Sequence, residues 1–232
     1  MFRLYKNRYG VNKKKVVFLL SGWQGTQAQH WLFSKLIEKS GYNCITYTYD
    51  KEILDPNPKL TANNVSMVVA DILNEISLFK NQSIHDITII GTSMGNIPAI
   101  ITANKSADVG KLILNMCGYD MAHIIWSWDH VIKGFKEEMI KTGVTLEKLT
   151  REWQSINPKN NLTMLKNKKI LLLMSKSDKI IPFQQAEDLR KSLQKINGST
   201  IFETSHYFGH YLYGVINLFK MPFYLSSLNI NV

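Results

Sequence analysis

A chain of 232 residues is long enough for one large domain with a full hydrophobic core and too short for more than two small ones. Apolar residues at 45% and charged residues at 20% exclude a disordered chain. The net charge of +10 comes from scattered lysines whose only dense run is Lys13-Lys14-Lys15, so no nucleic-acid partner is expected.

The first informative segment is Val16-Val17-Phe18-Leu19-Leu20. It is too short for the core of a signal peptide, and Gly22-Trp23-Gln24-Gly25 follows it where a cleavage site would stand. Lys15 to Leu20 is therefore predicted to be a strand entering a tight loop, and no integral membrane segment is expected. Further strands are predicted over Asn43 to Thr48, Asp86 to Ile90, Lys111 to Met116, Lys169 to Met174 and Ser199 to Glu203. All are short and rich in Val, Ile, Leu, Phe or Tyr, as buried parallel strands are. Helical spacing marks Trp31 to Lys39, Thr61 to Lys80 and Phe183 to Ile196. Strands alternating with helices predict an α/β fold with a mostly parallel central sheet flanked by helices.

About fifty residues separate the strand ending near Met116 from the one starting near Lys169, long for a single crossover. Ala122 to Trp153 reads as largely helical and carries Trp126, Trp128 and Trp153. The expectation is a helical cap insertion at about 119–165 within a single domain spanning 1–232. Cys44 and Cys117 lie in apolar, strand-like surroundings without disulfide or metal spacing, which fits a cytoplasmic protein.

Gly91-Thr92-Ser93-Met94-Gly95 follows the strand Asp86 to Ile90 directly and precedes a helical pattern from Ile97 to Ala103. So sharp a strand-to-helix turn puts Ser93 in a strained conformation with its hydroxyl exposed above the strand end. Gly91 and Gly95 flank it because a side chain there would collide with the neighbouring strand or helix. A phosphate-binding loop is a weaker reading, since the Gly-x-Gly-x-x-Gly fingerprint and a Walker lysine are both missing.

A serine hydroxyl needs a base, and the base needs an orienting acid. Asp178, in the loop after the strand Lys169 to Met174, is the favoured acid, with Asp120 as rival. His210 is the favoured base because Gly209 permits a tight turn before it; His206 competes. The His206-x-x-x-His210 spacing has no interleaved acid and no apparent third ligand, so no metal is expected. His30, His85, His123 and His130 read as surface or cap residues. Two backbone N–H groups are expected to form an oxyanion hole, from Met94 and from Trp23 in the loop after the first predicted strand.

In order and spacing these residues resemble the α/β-hydrolase superfamily. The likeness rests on Gly22-Trp23, Gly91-Thr92-Ser93-Met94-Gly95, Asp178 before Ile181-Pro182, and Gly209-His210, and spans about Lys15 to Lys220. It implies a Ser-Asp-His triad and a cap between the sixth and seventh family strands. Two departures stand out. Only 14 residues precede the first predicted strand, so the family's N-terminal hairpin must be shortened or missing, and Ser21-Gly22 replaces its common His-Gly pair. The expected activity is cleavage of a carboxylic ester or thioester through an acyl-enzyme, without a cofactor, with the cap tryptophans facing an apolar part of the small-molecule substrate. An acyltransferase, or a binding protein that has lost catalysis, would share the same residues.

Overall fold

The computed structural model describes residues 2–10, 13–127 and 132–228. Among the described residues, seven strands form one sheet: β1 (Leu4–Tyr9), β2 (Lys15–Leu20), β3 (Asn43–Tyr49), β4 (Asp86–Thr92), β5 (Val109–Asn115), β6 (Lys169–Ser175) and β7 (Thr200–Ser205). Their order is β1-β3-β2-β4-β5-β6-β7. β1 pairs antiparallel with β3, and every other neighbouring pair is parallel. The mostly parallel sheet flanked by helices expected from the sequence is thus present, with β1 as an antiparallel strand at its edge.

β1 was not among the predicted strands. Its sequence, LYKNRY, is half polar, and its outward side chains are exposed or half-buried. Besides its antiparallel pairing with β3, it is tied down by charge. Lys6 Nζ donates to Glu75 Oε1 at 2.8 Å and Arg8 Nη2 to Glu75 Oε2 at 2.5 Å, with Asp71 also bound to Lys6. These partners lie more than sixty positions away, beyond the reach of local periodicity.

The helices are α1 (Gln27–Lys39), α2 (Pro58–Asn81), α3 (Asn96–Lys105), α4 (Met121–Trp126), α5 (Phe135–Lys141), α6 (Leu146–Glu152), α7 (Phe183–Ile196), α8 (His210–Phe219) and α9 (Met221–Ser227). α1 starts four residues before its predicted start because a capping box sets its end: Gln29 N donates to Thr26 Oγ1 and Thr26 N to Gln29 Oε1. α4, α5 and α6 fill the excursion between β5 and β6. Trp128 and His130 lie outside the described residues. α9 follows α8 immediately.

Side-chain alternation along the strands builds two cores. Val16, Phe18 and Leu20 of β2 join one core with α2, α3 and α7, whereas Val17 and Leu19 join the other with α1 and α9. β4, β5 and β6 alternate likewise, which is why each reads as a continuous apolar run. The chain runs from β2 outward to β3 and then returns to β4 on the other side of β2. This reversal leaves a crevice beyond the carboxyl ends of β2 and β4. No helix among the described residues is long and apolar enough to cross a membrane.

Candidate active site

Ser93 follows the last residue of β4 and takes φ +51°, in the left-handed region. A single 3₁₀ turn, Ser93–Gly95, then leads into α3. The flanking glycines are sterically required. A Cβ on Gly91 would lie 2.6 Å from Asn96 Cα, and one on Gly95 would lie 2.5 Å from the carbonyl oxygens of Leu20 and Ser21. The turn is also bolted to β5: Asn96 Nδ2 donates to the carbonyls of Ser93 at 2.9 Å and Asn115 at 2.8 Å. Asn96 stood beside the serine motif in the sequence without a recognised role; its full burial and its position in α3 supply one.

His210 opens α8, directly after Gly209. Its Nε2 lies 2.9 Å from Ser93 Oγ and its Nδ1 lies 2.7 Å from Asp178 Oδ2. An ionised carboxylate only accepts, so Nδ1 carries the proton and Nε2 presents a lone pair to the serine hydroxyl. The other oxygen, Asp178 Oδ1, accepts from Ile180 N at 2.8 Å and Ile181 N at 2.9 Å. Both side chains are withdrawn from solvent, at 7% exposure for His210 and 4% for Asp178. The two loops that carry them are stitched together: Ser175 Oγ donates to the Phe208 carbonyl, and Ser177 Oγ to the His206 carbonyl at 2.7 Å. Asn115 Nδ2 donates to the Gly214 carbonyl at 2.9 Å and anchors α8 to β5.

The rivals lie elsewhere. His206 is exposed and stands beside Tyr207. Asp120 caps α4 and binds His123 Nδ1 at 2.8 Å, Asn157 Nδ2 at 2.8 Å and Lys159 Nζ at 2.5 Å. Burial alone would raise its pKa, but the Lys159 and Asn157 hydrogen bonds outweigh that and hold the carboxyl below its usual range. It ties the start of α4 to the segment after α6. His85 is exposed, and His123 is half-exposed on α4.

The loop after β2 packs directly against the serine. A Cβ on Gly22 would sit 3.4 Å from Ser93 Cβ. Tyr49 Oη donates to the Ser21 carbonyl, Gly25 N donates to the Gly22 carbonyl at 3.1 Å, and the Trp23 indole donates to the Lys51 carbonyl at 3.2 Å. Trp23 lines the larger and Met94 the smaller of the cavities that meet at Ser93.

Two cavities open at Ser93. The larger, about 450 Å³, runs between α1 and α8 and is walled by Leu32, Phe33, Val215, Leu218 and Phe219. The smaller, about 30 Å³, lies under α4 against Met121, Ile124 and Ile181. The expectation that cap tryptophans face the substrate is corrected for Trp126 and Trp153, neither of which lines either cavity. Trp153 is fully buried with its indole donating to the Pro58 carbonyl at 2.9 Å, and the Trp126 ring lies under Lys136 Nζ.

His30 is the second correction. It is a buried side chain of α1, 6% exposed, on the wall of the larger cavity, and its Nδ1 has no partner among the described residues. Burial lowers its pKa from 6.5 to about 4. The neutral form is favoured in the native state, so the unfolded chain binds the extra proton first. This group thus costs no stability above pH 6.5, and the loss grows as pH falls toward 4. At pH 4.5 it should amount to roughly 2 kcal/mol. Urea unfolding at pH 7 and pH 4.5 checks this, with His30→Gln losing correspondingly less than the wild type. Equal losses would mean that His30 is hydrated in the folded protein.

A mostly parallel sheet flanked by helices, with a serine on a strained turn after its central strand, defines this chain as an α/β-hydrolase. It belongs to the prolyl oligopeptidase family, whose model matches residues 61–216 of the 232. No curated protein matches the sequence. Among solved structures, a cold-adapted esterase from an Arctic intertidal metagenomic library superposes with a TM-score of 0.64 at 12% identity, over 97% of this chain and 87% of that one. An esterase of Pyrococcus furiosus gives 0.63 at 12% identity, over 98% and 91% of the two chains. A monoacylglycerol lipase of Paleococcus ferrophilus gives 0.64 at 11% identity, over 98% and 100%. At these identities the likeness is one of fold.

Proposed function

We propose that this protein hydrolyses carboxylic esters or thioesters through an acyl-enzyme on Ser93, in a cytoplasmic setting. The observation that carries the reading is the hydrogen-bonded chain from Ser93 Oγ through His210 to Asp178. His210 Nε2 takes the hydroxyl proton as Ser93 Oγ attacks the carbonyl carbon. The negative charge that develops on the carbonyl oxygen is held by the N–H groups of Trp23 and Met94. The bond to the leaving alcohol or thiol then breaks, and His210 returns the proton to it. Water, deprotonated by His210, attacks the acyl-serine, releases the acid and restores the hydroxyl. Asp178 keeps the imidazole in the required tautomer and stabilises its cation.

The family is named for oligopeptidases, and the same relay attacks amides. Neutral esters are favoured because no Asp, Glu, Lys or Arg among the described residues lines either cavity at Ser93, so nothing there would hold a peptide's charged ends. The solved esterases and lipase of similar fold accord with this. Residues 119–165 serve as a cap of the same domain, with α4 roofing the smaller cavity. The buried, unpaired Cys44 and Cys117 suit a reducing compartment.

Labelling with a fluorophosphonate tests the nucleophile. The wild type should be modified on the peptide carrying Ser93, and Ser93→Ala should not be modified. Folded wild type that resists the probe would move the protein to the binding class, and transfer of the acyl group to an added alcohol in preference to water would make it an acyltransferase.

A further inference from the structure

The two cavities at the candidate nucleophile differ about fifteenfold in volume, roughly 450 against 30 Å³, and among the described residues Ser93 alone lines both. An ester attacked by Ser93 has two ends to place in them. Which end goes where follows from His210. That imidazole must hand its proton to the leaving-group oxygen, so the alcohol portion has to depart on the side of the His210 ring. His210 and its neighbour Tyr211 wall the larger cavity and take no part in the smaller one. The acyl chain is left to the space under α4.

That space is tightly bounded. One water-sized probe needs roughly 10–15 Å³ of such volume, so about 30 Å³ holds one or two carbon atoms. Side chains crowd it on one side, where a Cβ on Gly118 would lie 2.3 Å from Ile124 Cδ1 and 3.1 Å from Ile181 Cγ2, and on the other Met94 and Ile97 belong to the turn and helix that carry the serine. The larger cavity, by contrast, is flanked by the apolar faces of α1 and α8 and has room for a substantial chain or ring.

We infer that the preferred substrates are short-acyl esters, acetates or propionates, of a bulkier apolar alcohol. This rests on Ser93 being the nucleophile and His210 the base.

A pair of isomeric esters isolates the question. Hexyl acetate and ethyl hexanoate contain the same atoms and release primary alcohols of similar acidity, but carry the long chain on opposite sides of the carbonyl. kcat/KM for hexyl acetate should exceed that for ethyl hexanoate on the order of 100-fold, since four methylenes gain a lined cavity at roughly fourfold each on one side only. Ile124→Ala, which opens the smaller cavity, should raise the ethyl hexanoate rate relative to hexyl acetate. Equal rates or a preference for ethyl hexanoate would overturn the inference while leaving the hydrolase reading in place. So would Ser93-dependent labelling with neither ester cleaved. Loss of Ser93-dependent labelling would remove the nucleophile itself and both readings with it.

Discussion

Asp178→Asn should lower kcat for ester hydrolysis about 10⁴-fold with the fold intact. The substitution separates two jobs that the carboxylate does with different oxygens. Oδ1 accepts the Ile180 and Ile181 N–H groups, and an amide oxygen can do the same. Oδ2 accepts from His210 Nδ1, and there the amide would present a donor. Nδ1 must then become the acceptor, and the ring proton moves to Nε2, where it faces Ser93 Oγ at 2.9 Å. A protonated Nε2 cannot take the serine proton. The check is steady-state kinetics beside a thermal melt. A melting temperature near that of the wild type with a collapsed kcat is the expected pair. A collapsed melt would mean that Asp178 serves mainly to hold its loop. Asp120→Asn, at the rival carboxylate, should leave kcat near the wild-type value, because its partners are His123, Asn157 and Lys159 rather than His210.

Gly95→Ala should cost about 3 kcal/mol or more of stability, and with it the position of Ser93. Each contact the new methyl would meet is main chain: the carbonyl oxygens of Leu20 and Ser21 at 2.5 Å and the Leu20 carbonyl carbon at 2.8 Å. Leu20 ends β2, in the middle of the sheet, hydrogen-bonded between β3 and β4. A side chain could rotate away from an added methyl, but a strand paired on both edges cannot. Relief would have to come from moving the serine turn, which Asn96 ties to β5. Urea unfolding and fluorophosphonate labelling of the same variant would show both effects. Gly198→Ala is the control, with nothing within 4 Å of its added methyl and no left-handed φ. It should be neutral or slightly stabilising through the unfolded chain. Wild-type stability in Gly95→Ala would mean that this contact is far looser than the packing indicates.

The features legible in the sequence are those that depend on near neighbours in the chain. The serine turn is one: a strand, a strained residue and two bare glycines are adjacent, and local sterics alone require the pattern. The parallel sheet is another, because strands buried on both faces need continuous apolar runs such as Val16 to Leu20. The α2 and α7 patterns show their buried faces for the same reason.

Distance along the chain marks where that legibility stops. β1 is held by Glu75 and Asp71, charges that local pattern cannot pair with it. His206 and His210 are both plausible by position after a strand, yet only His210, at the start of α8, is brought within hydrogen-bond reach of Ser93. Asp120 and Asp178 each follow a strand end, and the partners that surround them differ entirely. The cavity walls were the least visible. Leu32 and Phe33, or Leu218 and Phe219, have the same apolar character whether they face a packed sheet or an open space. His30 belongs with them, since burial against a cavity leaves no mark in the residues on either side. Helical periodicity reports which face turns inward; whether α1 and α8 then meet or leave about 450 Å³ between them was decided by the sheet that sets their separation.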